Sequence, residues 1–147
     1  MHPRPTAPSN VAAMRAVAIR KGKYEHDIQV RDHHLTADEP EDIGGADAGP
    51  SPQELLAASL ASCTAITIEM YAERKGWDVT GLEVDCDYTP ADRGCPTRFN
   101  LVTRLPDHLS DEQVERLGVI AAKCPVHRTL EGEVDFKERV ERAASKV

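Results

Sequence analysis

From Leu55 to Ile68 the chain carries no charged side chain, and no helix breaker follows Leu55 until Gly76. Just ahead of this stretch, Ser51-Pro52-Gln53-Glu54 offers Ser as an N-cap, Pro at the first helical position and Glu three residues after the Ser. That is a capping box with a pre-organised start. Arg74 and Lys75 gather at the far end, where cations suit the helix dipole. The pattern predicts one long helix. Being apolar all round, it is expected to be buried all round, with Cys63 near its middle.

On either side the period changes. Arg15 to Val30 holds RAVAIR and YEHDIQV, in which apolar and polar residues roughly alternate, separated by Lys21-Gly22-Lys23. This reads as a β-hairpin. His34 to Pro50, rich in Asp, Glu, Gly and Pro, reads as a loop. Val79 to Thr89 and Arg98 to Leu105 are β-like and flank the turn-rich PADRGCP, suggesting a second hairpin. Ser110-Asp111-Glu112-Gln113 is another capping box. It opens a shorter helix running to about Lys123, with Val114, Leu117, Ile120 and Ala121 on one face. Glu133 to Val140 reads as a last strand. The order of strands, long helix, strands, helix and strand is that of an α+β fold, whose buried helix needs a sheet on at least one side.

Composition narrows the class. The 147 residues suffice for one domain with a core and no disulfide staples. Residues 1–13 read as a disordered tail, or as sequence upstream of a start near Met14, and residues 14–147 as a single domain. Aromatic residues are only 4%, so the core falls to Leu, Val, Ile and Ala. The net charge of -7 argues against a bulk-electrostatic role on nucleic acid or an anionic membrane. No apolar run is read as a membrane span, and no secretory signal is read at the N-terminus. The expected compartment is the cytoplasm, where thiols stay reduced. The four cysteines are then free thiols, and no pair is spaced C-x-x-C as in a zinc ribbon or a thioredoxin motif.

Taken alone, Cys63 reads as a small apolar side chain filling space in an Ala-rich helix. Cys124 differs, because Pro125 follows it and suits the first position of a new short helix. Backbone N–H groups pointing at that sulfur favour the thiolate, and His127 and Arg128 add positive charge nearby. His33 and His34 precede the acids Asp38, Glu39, Glu41 and Asp42. Their spacing matches no metal-ligand template, so this reads as a solvated acidic loop, with a pocket wall or metal site as the sharper reading. Cys86 shares a strand face with Val84 and Tyr88, Cys95 falls in a polar loop, and Tyr71 and Trp77 read as packing groups.

GPSPQELLAASLASCTAITIEMYAERKGW followed by CPVHRTL resembles the family of osmotically inducible protein C and organic hydroperoxide resistance proteins (OsmC/Ohr). The likeness runs from the first hairpin to the last strand, and each of Cys63 and Cys124 sits inside its own extended motif. The GPSP opening and the YAERKGW end resemble a broad OsmC-like subgroup rather than the best-studied peroxidase branches. The resemblance implies an intertwined homodimer in which antiparallel-rich sheets wrap long central helices, with active sites at the dimer interface. It implies that Cys63 attacks the O–O bond of an organic hydroperoxide and becomes a sulfenic acid. Cys124 then condenses with it to a disulfide, and a dithiol reductant, lipoyl-type or a small thiol, restores both. It implies no cofactor and no metal.

Two positions depart from the peroxidase pattern, in which an early-loop arginine holds the thiolate and a glutamate opening the long helix orients that arginine. Arg31, at a strand end, is the arginine in reach, with Arg128 or His34 as other sources of charge. Gln53 stands at the glutamate position, and Glu54 falls one place later, about 100° further round the helix. His34, Asp38 and Glu39 are candidates to line the site, since H-x-x-x-DEP followed by GG resembles the same subgroup. The leading expectation is a thiol peroxidase. The rival is a non-catalytic or weakly catalytic protein of the same fold that binds a small molecule or lipid.

Overall fold

The computed structural model describes residues 12–144; most of the expected tail of residues 1–13 lies outside them. The chain divides into two compact units, residues 1–55 and 56–147. In the first, β1 (Val17–Arg20), β2 (His26–Val30) and β3 (His33–Ala37) form an antiparallel meander, with Ala18 opposite Ile28 and Ile28 opposite Leu35. The expected hairpin is its first half. The third strand corrects the sequence reading, which placed a loop from His34 onward. Four of its five residues are exposed, so no buried face imprints a period of two on the sequence. Its partner strand, not its own pattern, makes it a strand. The turn between β2 and β3 puts Arg31 at φ 52, an uncommon left-handed backbone for a side chain of that size.

The loop after β3 is built around Asp38, which is buried. Its carboxylate accepts the N–H groups of Glu39 at 2.7 Å, Ala48 at 3.1 Å and Ala46 at 3.3 Å. Gly45 and Gly49 pass so close to the carbonyls of Glu39 and Thr36 that a Cβ on either would collide. Asp38 is therefore a loop organiser rather than a member of a solvated acidic cluster. The amides, that of Ala48 foremost, hold its carboxyl below the usual carboxylate range. A depressed carboxyl stabilises the fold above the unfolded value of about 3.9, and that stabilisation is lost as pH falls through the lower folded value. Asp38→Asn is thus expected to melt several degrees below wild type at neutral pH. Thermal melts across pH should show the gap closing as pH falls below about 4.

Helix α1 (Pro52–Lys75) starts and stops where the sequence indicates. The Ser51 N–H donates to Glu54 Oε1 at 3.0 Å and the Glu54 N–H donates to Ser51 Oγ at 3.2 Å, completing the capping box. At the far end Gly76 takes φ 71, its N–H donates to the Glu73 carbonyl, and the Trp77 N–H donates to that of Ala72. This Schellman closure needs a left-handed residue, which only glycine supplies cheaply. Burial differs from expectation. Within the single chain one stripe is buried, Leu60, Thr64, Ile68 and Ala72, while Ser62, Ile66 and Met70 are exposed. Many uncharged positions here are Ala, Ser and Thr, which tolerate either environment. By length and composition alone the helix could cross a membrane, its most apolar stretch reaching a mean hydropathy of 1.4. The sequence reading missed this because it stopped at the first acid, Glu69. Of that stretch 22% is buried within the single chain.

In the second unit β4 (Glu83–Thr89) and β5 (Arg98–Arg104) pair antiparallel, Cys86 opposite Leu101 and Tyr88 opposite Phe99. Burial alternates along both strands, with Val84, Cys86 and Tyr88 on the covered face. β4 begins later than Val79 because Asp78 Oδ1 accepts the Thr80 N–H at 2.9 Å and Gly81 turns at φ 94. Helix α2 (Asp111–Ala121) carries the second capping box intact, Ser110 with Gln113. Helix α3 (Pro125–Glu131) follows directly. Ile68 and Ala72 of α1 pack with Leu109 and Leu117, bordered by Tyr71, Trp77 and Leu105. The strand expected over Glu133–Val140 is absent. That segment is exposed throughout, with Phe136 77% exposed, and no described strand pairs with it. Alternation alone does not make a strand without a neighbouring strand to complete the ladder.

Candidate active site

The short turn between α2 and α3 delivers Cys124 to the flank of α1. Cys124 is the N-cap of α3, with extended backbone at φ -65 and ψ 144 and Pro125 next. Its Sγ accepts the His127 N–H at 3.3 Å and lies 3.8 Å from the Thr64 hydroxyl oxygen. The residue is fully buried. The capping role read from Cys124-Pro125 is thus present. Cys63, one residue before Thr64 on α1, is half-buried, and the neighbouring N–H of Val126 and the Cys124 thiol are near enough to act on its thiol. Consecutive amides of α3 therefore serve the two sulfurs in turn. All four cysteines are free.

Burial is the largest influence on Cys63 and pushes its thiol above the ordinary value. The Val126 N–H pulls the other way. The Cys124 thiol pushes the value up again, through its hydrogen bond and its charge, and the Thr67 hydroxyl lowers it. No arginine, lysine or histidine is among these groups. Thr67 also donates to the Cys63 carbonyl at 2.7 Å. Cys63 is thus biased toward the neutral thiol, with an amide already placed to receive negative charge.

The other residues singled out from the sequence fall in different places. His127 joins the thiols through its N–H, while its ring Nε2 pairs with Glu131 Oε1 at 2.7 Å. Arg128 is exposed on α3. Gln53, Glu54, Arg31, His34, Asp38 and Glu39 all belong to the first unit. Gln53 is exposed, and Glu54 is occupied by the helix cap, the Ser51 N–H holding its carboxyl below the usual range. His34 Nδ1 pairs with Asp27 at 3.1 Å. Asp38 and Glu39 border a cavity of about 370 Å³ with Tyr24 and His26. Among the described residues no cluster of His, Cys, Asp and Glu could hold a metal ion.

Next to the thiols the second unit holds a larger cavity, about 540 Å³, walled by Leu60, Tyr88, Phe99, Leu101, His127 and Leu130 among others. Tyr88 and Phe99 stack across the β4–β5 ladder, their centroids 4.8 Å apart. The cavity shares Leu60 with the turn of α1 that leads to Cys63, and His127 with the Cys124 cap. Its lining joins aliphatic and aromatic side chains to Thr97, His127 and Glu131, which suits a ligand with both an apolar body and a polar end. Sequence reasoning missed Thr64, Thr67, Tyr88 and Phe99. Thr67 carried a usable signal, since a position four residues after Cys63 shares its side of a helix, whereas Thr64, one residue on, did not.

Comparison with known proteins bears on the fold. The chain is similar in fold to a putative osmotic stress induced and detoxification response protein from Psychrobacter arcticus, at 23% identity over 82% of this chain and 90% of that one, with a TM-score of 0.69. It is also similar to an OsmC-like protein from Mycoplasma pneumoniae, at 19% identity over 82% and 89%, TM-score 0.70. A third likeness is to the organic hydroperoxide resistance protein OhrB of Bacillus subtilis, at 20% identity over 84% and 94%, TM-score 0.58. No curated protein matches by sequence. The profile of the OsmC-like proteins matches residues 44–139, a span that begins in the Asp38 loop and contains α1, the β4–β5 hairpin and both thiols of the site. The chain belongs to the OsmC-like protein family.

Proposed function

We propose that this protein is a thiol peroxidase that reduces organic hydroperoxides in oxidative-stress defence. The observation that carries the reading is the nearness of half-buried Cys63 and buried Cys124, the Val126 N–H acting on the first thiol and the His127 N–H donating to the second. In this reading the Cys63 thiolate attacks the distal oxygen of the hydroperoxide. The O–O bond breaks, the alkoxide leaves and takes up a proton, and Cys63 becomes a sulfenic acid. Cys124 then attacks that sulfur, an S–S bond forms, and water leaves. A dithiol reductant, lipoyl-type or a small thiol, restores both cysteines while itself becoming a disulfide. The cavity holds the organic part of the substrate.

The working form in this proposal is a cytoplasmic homodimer. Its support is apolar surface left uncovered in the single chain: Ile66 and Met70 of α1 are 48% and 62% exposed, and Leu35 of β3 is 50% exposed. Runs of exposed apolar side chains favour burial against a partner. A second reading, a carrier of a small apolar molecule, is favoured by the raised Cys63 thiol and by the absence of a cation among the groups that govern it.

Stopped-flow oxidation of the reduced protein by cumene hydroperoxide and hydrogen peroxide separates the two. Thiol loss far faster than that of free cysteine, and faster with the organic peroxide, is expected. Loss at the rate of free cysteine leaves the carrier reading. The pH profile adds a second check. Because burial raises Cys63, the reactive thiolate is the minor form at neutral pH. The rate is therefore expected to rise about tenfold per pH unit through neutrality, and to keep rising past the ordinary thiol value of about 8.5.

A further inference from the structure

The Thr64 hydroxyl has one proton, and it is already placed. Thr64 Oγ1 donates to the Leu60 carbonyl at 2.9 Å. The same hydroxyl also reaches Cys124 Sγ at 3.8 Å as a longer donor contact; while its one proton serves the nearer Leu60 carbonyl, a lone pair is left for the Cys124 S–H. Both residues are buried, Thr64 at 4% and Cys124 at 0% exposure, so no water competes for the contact. Besides the Cys63 thiol, Thr64 and the His127 N–H bear on that sulfur. A threonine bonded back to the carbonyl four residues earlier is ordinary in a helix. A second partner that is a buried thiol on another helix is not.

We propose that Thr64 is a positioning residue for Cys124, holding its thiol in the reduced protein and sustaining its thiolate when it attacks oxidised Cys63. The inference rests on the peroxidase reading. In the reduced state the S–H of Cys124 points at Thr64 Oγ1. When Cys124 gives up its proton, the threonine hydroxyl rotates from the Leu60 carbonyl and donates to the sulfur instead. The carbonyl keeps its helical partner, the N–H of Thr64 itself, so the rotation leaves no backbone group orphaned. The thiolate then attacks the Cys63 sulfenic sulfur. The S–S bond forms, the S–O bond breaks, and the departing hydroxide takes the proton that Cys124 released, leaving as water. Oxidation of Cys63 by the peroxide does not use Thr64.

Thr64→Val, nearly isosteric, removes the hydroxyl, and Thr64→Ser keeps it. In single-turnover oxidation by cumene hydroperoxide, Thr64→Val is expected to oxidise Cys63 at the wild-type rate. Its disulfide should form roughly tenfold more slowly, the scale of one hydrogen bond to a charged group. Sulfenic acid should accumulate, and Thr64→Ser should restore the rate. Disulfide formation at the wild-type rate, or equal slowing of both steps, overturns the proposal. A second readout needs no peroxide. In a Cys63→Ser background, alkylation at Cys124 is followed by peptide mass spectrometry across pH, and Thr64→Val is expected to move its midpoint upward. An unmoved midpoint overturns the proposal. If wild-type Cys63 fails to react with peroxide while the midpoint still moves, the peroxidase reading falls and the action of Thr64 on Cys124 stands.

Discussion

Cys63→Ser is expected to lose reaction with cumene hydroperoxide entirely, by about 10³-fold or more, the scale on which removal of a catalytic nucleophile is felt. A serine hydroxyl is far less acidic and less polarisable than a thiol, so the amide of Val126 has no comparable anion to stabilise. Cys124→Ser should behave differently. Its first oxidation should proceed, but with no second thiol the protein should stop at the sulfenic acid, trapped by a dimedone-type reagent and detected by mass. With excess peroxide it should then climb to sulfinic acid and lose activity for good. Cys86 and Cys95 supply the control. Cys86 lies on the sheet and Cys95 in the exposed turn bridging Asp92, so replacing either should leave the rates unchanged. Fast oxidation surviving in Cys63→Ser would falsify the assignment and move attention to Cys124, which already accepts an N–H.

What was legible in the sequence follows from how local each signal is. Both capping boxes, the glycine that ends α1 and the Cys124-Pro125 start of α3 are set by neighbours within a few residues, and each is present in the fold. The β4–β5 hairpin was readable because one face is covered and the period of two survives. β3 was not readable, because both faces are largely exposed and its strand character comes from β2. Glu133–Val140 failed in the opposite sense, having the alternation but no described strand beside it. The Asp38 loop misled because a cluster of acids looks solvated until the amides that meet one of them are known. For the site, the two cysteines came from motif likeness. Their meeting, and the parts of Thr64, Thr67 and Val126, depend on how α1 packs against the α2–α3 turn, which no local pattern encodes.

Leu117→Ala is expected to cost roughly 3 kcal/mol of folding stability. Leu117 is wholly buried and packs with Ile68, Ala72 and Leu109. Removing its branched end forfeits transfer of that group from water. It also leaves a void that the rigid backbones of α1 and α2 close only in part. Val114, on the same helix but 42% exposed, gives the comparison, since Val114→Ala should cost well under half as much. Urea denaturation at fixed protein concentration, read as a shift in midpoint at constant slope, measures both. The same seam has a chemical consequence. Ile68 lies about one turn beyond Cys63 and Thr64 on α1, and Leu117 sits on the helix that leads to Cys124, so the buried cluster they share lies close along the chain to both thiols. In the folded fraction of Leu117→Ala, disulfide formation should therefore slow while a Val114→Ala protein keeps the wild-type rate. Equal costs for the two variants would mean that the buried seam does not hold α1 against α2, and that the thiol contact is maintained by α3 alone.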